Sequence, residues 1–332
     1  MNEREKAYCR IDQWDAAGKG HRVQKIAIWE LQSGKFNPNL FIGYNIIVPP
    51  EKIDYSATNE HSMDTTGTYL INRPNDIYHI LSGSTADRLQ YCIDHNIDII
   101  NVSLDSGGWY NDIDTPLKEA FIAQGGIIVC SAGNDGSDGL SGLSRDPLTI
   151  SVGAVKFVED RIVRESFSSY DDRGTDLNCM GFDGVVPVHK STPVSGTSFA
   201  APWVGSILAY FRSDFIDRNG RKPTYQETIN LIESNCIDIE TVGYDVYSGH
   251  GILRLPVPTI EDEPPEIDKL RVTVTANSTI ANVNGTPYNL VQAPVIVNGR
   301  LMLSFKDIAE ITGGTVVSYD NETKTAVFDI GC

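Results

Sequence analysis

Two short stretches hold residue types suited to acyl transfer. Ser195–Trp203 reads SGTSFAAPW and runs into an apolar helix, VGSILAYF. A serine placed after Gly-Thr and before small residues fits a helix amino terminus. There its Oγ faces outward and its own N–H points at a developing oxyanion. Ala200 and Ala201 let that helix lie close to a sheet. Ser and Thr are also ordinary capping residues, so the same letters describe a plain helix start. The second stretch, Ile127–Gly136, reads IIVCSAGNDG, a buried strand running into a Gly-Asn turn. The Asn134 amide held after such a strand can donate to an oxyanion, although Gly-Asn-Asp-Gly is good turn chemistry in its own right.

Such groups need a scaffold, and the pattern supplies one. Lys25–Trp29 (KIAIW), Ile97–Leu104 (IDIINVSL), Ile127–Ser131 (IIVCS) and Leu148–Val155 (LTISVGAV) are β-branched runs of buried-strand type. Thr85–His95 and Thr115–Ala123 between them carry helical spacing, the second with Pro116 near its start. Strand–helix alternation from Lys25 to about Leu255 predicts an α/β fold, a parallel sheet with helices on both faces. Residues 1–21 read as a helical extension, one helix from Glu3 to about Ala17 ending at Gly18 and Gly20, and residues 22–256 as the main domain. Residues 257–269 are rich in proline and acids and read as an extended linker. Residues 270–332 combine alternating Val and Thr, the turn pairs Asn284-Gly285 and Asn298-Gly299, and one helical stretch, SFKDIAEITGG. They predict a small separate α+β domain.

Composition narrows the classes of function. The chain has 332 residues, 41% hydrophobic and 21% charged, enough to bury a real core. Lys and Arg total 27 against 44 Asp and Glu, a formal charge of −17. Such a surface argues against a nucleic-acid or anionic-membrane partner, both of which need a positive footprint. MNEREKAYCR is charged where a signal peptide needs an apolar run, and no stretch reaches the length of a membrane span. The six cysteines are scattered without CxxC pairs or nearby histidines at ligand spacing, which predicts free thiols, a reducing cytoplasm and no site built on Cys and His; calcium is possible, without a traceable site.

Together the two chemical stretches resemble the subtilisin-like serine peptidases, the subtilase family. That family's GTSxAxP is matched by Gly196-Thr197-Ser198-Phe199-Ala200-Ala201-Pro202, and its strand ending AAGN by Ser131-Ala132-Gly133-Asn134. Its V-I-N-[ML]-S-L-G strand appears as Ile100–Asp105, its ASFSSYG as Glu165–Tyr170, and its closing G-x-G-x-[IVL] as Gly249–Ile252. The acid normally ends the first strand as V-A-V-[IL]-D-[ST]-G; here Ile26–Gln32 puts Glu30 where Asp is usual. The histidine normally opens H-G-T-H-V-A-G; here His61–Gly67 (HSMDTTG) keeps the first His and the last Gly. The resemblance, over about Arg22 to Leu255, implies a three-layer subtilisin-like domain and an acyl-enzyme on Ser198. His61 is then the general base, Glu30 the triad acid, and Asn134 with the Ser198 N–H the oxyanion hole. An extended peptide would pair between Ser103, Leu104 and Asp105 on one side and Ser82, Gly83 and Ser84 on the other. Ser131, Ala132 and Gly133 would line the first specificity pocket. Asp105, where Gly is usual, either favours basic substrates or is merely solvated.

The departures carry expectations too. With the first core strand at Lys25, no large prodomain fits, so an intracellular or phage-borne relative is expected, with no traceable calcium site. The last domain resembles the stalk domain named after the amino terminus of copper amine oxidases, through Asn298–Gly313 (NGRLMLSFKDIAEITG) and Tyr319–Val327 (YDNETKTAV). It holds no His or Cys cluster for copper. Such domains accompany envelope and phage proteins of Gram-positive bacteria, which implies docking. The expected activity is that of a serine endopeptidase acting on peptide or protein without a cofactor. The alternative is a pseudoprotease kept as a binding or structural part of a phage or envelope assembly.

Overall fold

The computed structural model describes residues 2–29, 34–58, 60–104, 114–137, 139–171 and 177–258, then shorter stretches between 272 and 329. The chain divides into two compact units, Met1–Pro258 and Thr259–Cys332.

The first unit opens with α1 (Glu3–Tyr8) and α2 (Ile11–Ala16), then β1 (Lys25–Trp29), β2 (Asn45–Ile47), α3 (His61–Leu70), β3 (Ile77–Leu81), α4 (Thr85–Asp94) and β4 (Ile99–Val102). It continues with α5 (Thr115–Ala123), β5 (Ile127–Ser131), β6 (Ile150–Val158), β7 (Arg161–Arg164), β8 (Leu177–Phe182), α6 (Thr197–Asn219), α7 (Tyr225–Asn235), β9 (Cys236–Ile237) and β10 (Ile252–Leu253). One ten-stranded sheet runs in the order β2-β3-β1-β4-β5-β6-β8-β10-β9, with β7 paired to β6. Pairings from β2 through β8 along that order are parallel.

KIAIW is apolar throughout because both of its faces are covered. Ile26 and Ile28 join one core with Met63, Tyr69, Val204 and Leu208 of α3 and α6. Ala27 and Trp29 join a second core with Leu89 and Cys92 of α4 and Phe121 of α5. This is the three-layer α/β arrangement that the unbroken strand pattern predicts. Close packing against α6 requires glycine at two points. A Cβ on Gly205 would run into the buried Tyr69 hydroxyl of α3, and one on Gly181 of β8 would meet the Ala200 carbonyl.

The expected single helix from Glu3 to about Ala17 is instead two short helices broken at Cys9–Arg10, with Arg10 at φ +61°. The break serves tertiary pairing: Leu255 N–H donates to the Cys9 carbonyl (3.1 Å) and Arg10 Nη1 to the Leu255 carbonyl (2.9 Å). Trp14 Nε1 donates to the Pro256 carbonyl (2.9 Å), and Cys9, Ile11 and Trp14 are buried in the α6 core. Two expected strands also shift: Ile97–Leu104 contracts to β4, and Leu148–Val155 becomes β6. The five described cysteines, Cys9, Cys92, Cys130, Cys179 and Cys236, are free.

The second unit contains β11 (Val272–Thr273), β12 (Ile280–Val283) and β13 (Thr286–Asn289) in one antiparallel sheet. Two hairpins follow, β14 (Val295–Val297) with β15 (Arg300–Met302) and β16 (Thr315–Asp320) with β17 (Thr325–Asp329). Val283 pairs with Thr286 and Val297 with Arg300, on either side of the two Asn-Gly pairs. Those pairs, and residues 305–314 of the expected helix, lie outside the described residues.

Candidate active site

The register of the parallel strands lines up their carboxyl ends. Trp29 of β1 pairs with Leu81 of β3 and Val102 of β4, and Val102 pairs with Cys130 of β5. Ser82 and Ser103 therefore leave the sheet on either side of β1, and Ser131 leaves one strand further along. This carboxyl edge, near the strand where the chain reverses its direction of winding, is where open α/β sheets bind ligands.

Ser198 stands in the first turn of α6, where backbone N–H groups have no partner within the helix. Its Oγ donates to the Ser103 carbonyl (3.4 Å), and Ser103 Oγ donates back to the Ser198 carbonyl (2.7 Å). Proline explains why that carbonyl is free. Pro202, four residues on, has no N–H with which to close the helical bond to Ser198. Ser103 Oγ in turn accepts from Asn101 Nδ2 (2.8 Å), which fixes the hydroxyl that holds the Ser198 backbone.

Asn134 lies just beyond the end of β5 and is exposed. Its Oδ1 accepts from Thr197 N–H (2.9 Å) and Thr197 Oγ1 (3.0 Å), so its Nδ2 is turned the other way. Gly133 N–H donates to the same Thr197 hydroxyl (3.2 Å). Gly196, at φ +139° and ψ 154°, makes the turn into α6. A Cβ built there would stand 3.6 Å from Asn134 Nδ2, 3.7 Å from Asn134 Oδ1 and 3.8 Å from Ser198 N, so the Asn134 amide and the Ser198 nitrogen border the space this glycine leaves open. The positive end of a 23-residue helix adds to their pull on an anion.

His61 is the first residue of α3, and its ring lies 5.6 Å from that of Phe199, the neighbour of Ser198. Glu30, one residue past the end of β1, lies outside the described residues, as does Asp105. Ser84 caps α4: its Oγ accepts from Asp87 N–H (3.1 Å) and donates to Asp87 Oδ2 (2.6 Å). Its carbonyl is taken as well, by Arg88 N–H (3.1 Å). Gly83 beside it has φ +124° with open space where a Cβ would be. Ser131, Ala132 and Gly133 are buried behind the Asn134 turn, with Ser141 N–H donating to the Ala132 carbonyl (2.8 Å).

The other histidines have other neighbours. Burial, with His95 and Lys25 nearby, pushes His79 down to about 4, and its Nδ1 meets Tyr91 OH at 3.0 Å. His250 Nε2 lies 4.0 Å from Glu233. His189 is buried with its Nε2 3.1 Å from Asp64 Oδ1, while Lys190 Nζ reaches Asp64 Oδ2 at 2.6 Å. Burial raises the Asp64 carboxyl, but His189 and Lys190 outweigh it and hold the group below its ordinary range. Gly67 gives His189 room: a Cβ on it would stand 2.6 Å from His189 Nδ1. Among the described residues, no group of three or more His, Cys, Asp or Glu could hold a metal ion. No described helix is long and apolar enough to cross a membrane.

Residues 71–231 match the subtilase family model, and residues 267–328 match the copper amine oxidase N-terminal domain. The chain carries a subtilase domain. A subtilisin of Bacillus pumilus is 28% identical over 261 residues, covering 70% of this chain and 89% of that protein. The cell wall-associated protease of Bacillus subtilis (strain 168) is 28% identical over 209 residues, 57% of this chain but 23% of its own length. Subtilisin amylosacchariticus, from Bacillus subtilis subsp. amylosacchariticus, is 29% identical over 177 residues, 50% of this chain and 42% of its own length. In three dimensions, the prenylagaramide maturation protease PagA superposes with a TM-score of 0.58 at 18% identity, covering 74% of this chain and 96% of that one. The PatG macrocyclase in complex with peptide gives 0.61 at 16%, covering 74% and 93%. The fold of the first unit is that of the subtilisin-like proteases.

Three side chains on which the site depends had no role in the sequence reading. Thr197 orients Asn134, Pro202 frees the Ser198 carbonyl, and Phe199 packs on His61. All three lie within the serine motif or its flank, so the signal was present as letters. What each one touches is set by β4, β5 and α3.

Proposed function

We propose that the first unit is a serine endopeptidase that cleaves peptide bonds through an acyl-enzyme on Ser198. Ser198 Oγ attacks the scissile carbonyl carbon as His61 takes its proton. The carbonyl oxygen becomes an oxyanion between Asn134 Nδ2 and the Ser198 N–H. Collapse breaks the C–N bond while His61 returns the proton to the leaving amine, and water then repeats the sequence on the acyl ester. Glu30 holds the imidazole and stabilises its charged form. Glu is one methylene longer than Asp, and an error of about 1 Å in a catalytic group costs on the order of a hundredfold, so this role requires the extra length to be absorbed. An extended peptide pairs with Ser103–Leu104 and with Ser82–Ser84, with Ser131, Ala132 and Gly133 facing its first side chain. The observation that carries this reading is the placement of the Asn134 amide and the Ser198 nitrogen beside Gly196, at the amino terminus of α6. The second unit is proposed to dock the enzyme to a partner, without copper.

The test is intact-mass labelling of the full chain with a fluorophosphonate, beside Ser198→Ala and His61→Ala. One adduct in the wild type and none in either variant supports the reading. Loss of base or nucleophile is expected to lower turnover on the order of a millionfold. A well-folded wild type that takes no adduct overturns it in favour of a pseudoprotease that binds without cutting. The altered residues between His61 and Gly67, with Asp64 committed to His189 and Lys190, are what favour that second reading.

A further inference from the structure

Two successive amides lead into α6, and each is held from outside the helix. Thr197 N–H donates to Asn134, a residue of the serine site. Gly196 N–H donates to Asp183 Oδ2 (2.7 Å), and Ser195 Oγ donates to the same oxygen (2.7 Å). Asp183 is 4% exposed, and it follows directly after β8. Its own N–H donates to the Val155 carbonyl of β6 (2.9 Å), so the residue is rooted in the central sheet. Burial raises its carboxyl above the ordinary range despite those two donors, with Glu165 raising it further and Lys156 lowering it. Lys156 is itself paired with Glu165 at 2.7 Å. A buried carboxylate set in this way is worth retaining only if its hydrogen bonds do something for the backbone they hold.

What they hold is a turn that does not hold itself. Gly196 combines φ +139° with ψ 154°, a region reached by glycine and kept only when the surroundings over-determine it. Two residues later stands Ser198, whose Oγ and N–H are both needed in the acyl-transfer reading.

We propose that Asp183 is a positioning residue of this site: its buried carboxylate fixes the Ser195–Gly196 turn to the sheet and so sets where α6 presents Ser198. The proposal rests on Ser198 being the nucleophile. It involves no contact between Asp183 and substrate; the residue acts through Gly196. No letter near the serine motif announces it, since Asp183 lies twelve residues before Ser195 in the chain.

Fluorophosphonate labelling rates and steady-state peptide hydrolysis test it in the full chain, with the thermal transition of each variant measured alongside. Asp183→Ala is expected to slow labelling and lower kcat by about ten- to a hundredfold with KM little changed. Asp183→Asn, which keeps an oxygen acceptor, is expected to stay within about threefold of the wild type. Labelling of Asp183→Ala at the wild-type rate, or a loss confined to KM, overturns the proposal. Amide hydrogen exchange over residues 193–200 tests the same clamp without turnover. Asp183→Ala is expected to deprotect the Gly196 amide while Asp183→Asn and strand β5 keep their protection. Equal protection in the wild type and both variants overturns the clamp. If Gly196 protection depends on Asp183 but the wild type takes no adduct, the clamp stands and the nucleophile assignment falls.

Discussion

At the start of α6, the residues around Ser198 follow the subtilase pattern, and apart from Asp183, which holds Ser195 and Gly196, their hydrogen-bond partners belong to that pattern too. Thr197 meets Asn134, Ser103 meets Ser198, and Gly133 meets Thr197. At the start of α3, only His61 and Gly67 follow the pattern, and the residues between them are differently employed. Asp64 stands where the family writes a second histidine, and it takes its partners from His189 and Lys190, far along the chain. An imidazole is still packed against Gly67, but it arrives from another segment. The contrast teaches that geometry aimed at a reacting atom leaves little freedom of residue type. Packing behind a helix can be satisfied by any partner of matching shape and charge.

That contrast is open to attack at both ends. Beyond Ser198 and His61 themselves, the largest effect is expected at the proposed acid. Glu30→Gln is expected to lower turnover at neutral pH on the order of ten-thousandfold in steady-state assays, and an unaltered rate would assign the role to another carboxylate. On the serine side, Asn134→Ala is expected to lower kcat about a hundred- to a thousandfold with KM nearly constant, because in the proposed mechanism it removes one oxyanion donor and leaves binding intact.

Behind the histidine, the effects are on stability. Gly205→Ala would press a methyl into the buried Tyr69 hydroxyl between α3 and α6. It is expected to destabilise the fold by about 1–3 kcal/mol in chemical denaturation. Asp64→Asn is expected to have the smallest effect, a loss of stability at neutral pH below that of Gly205→Ala. The Asp64 carboxyl is held below its ordinary range in the fold, so its contribution is present above the unfolded pKa and disappears as pH falls through the folded one. The difference in melting temperature between wild type and variant should therefore shrink as the solution is taken below pH ~4. A difference that persists in acid would mean that shape, not charge, is what Asp64 contributes.

Much of the architecture was legible because strands buried on both faces leave no polar alternation to misread. KIAIW and IIVCS announce themselves as central strands, and both appear within the sheet. The amino-terminal helix departs from its sequence pattern for the opposite reason. Its local pattern is continuous, yet Cys9 and Arg10 break it in order to pair with Leu255, a partner that local propensity does not contain.

The sequence by itself determined the layered α/β scaffold, the second small domain and the candidate nucleophile with its neighbouring amide, because short-range residue types encode periodicity, turns and motif letters. Only the tertiary structure decided that Thr197 orients Asn134, that Pro202 releases a carbonyl for Ser103, that His189 answers Asp64, and that Asp183 grips Gly196. Each of these is a directional contact between segments that meet only when the sheet has assembled, and a hydrogen bond of about 3 Å leaves no trace in the spacing of residues so far apart.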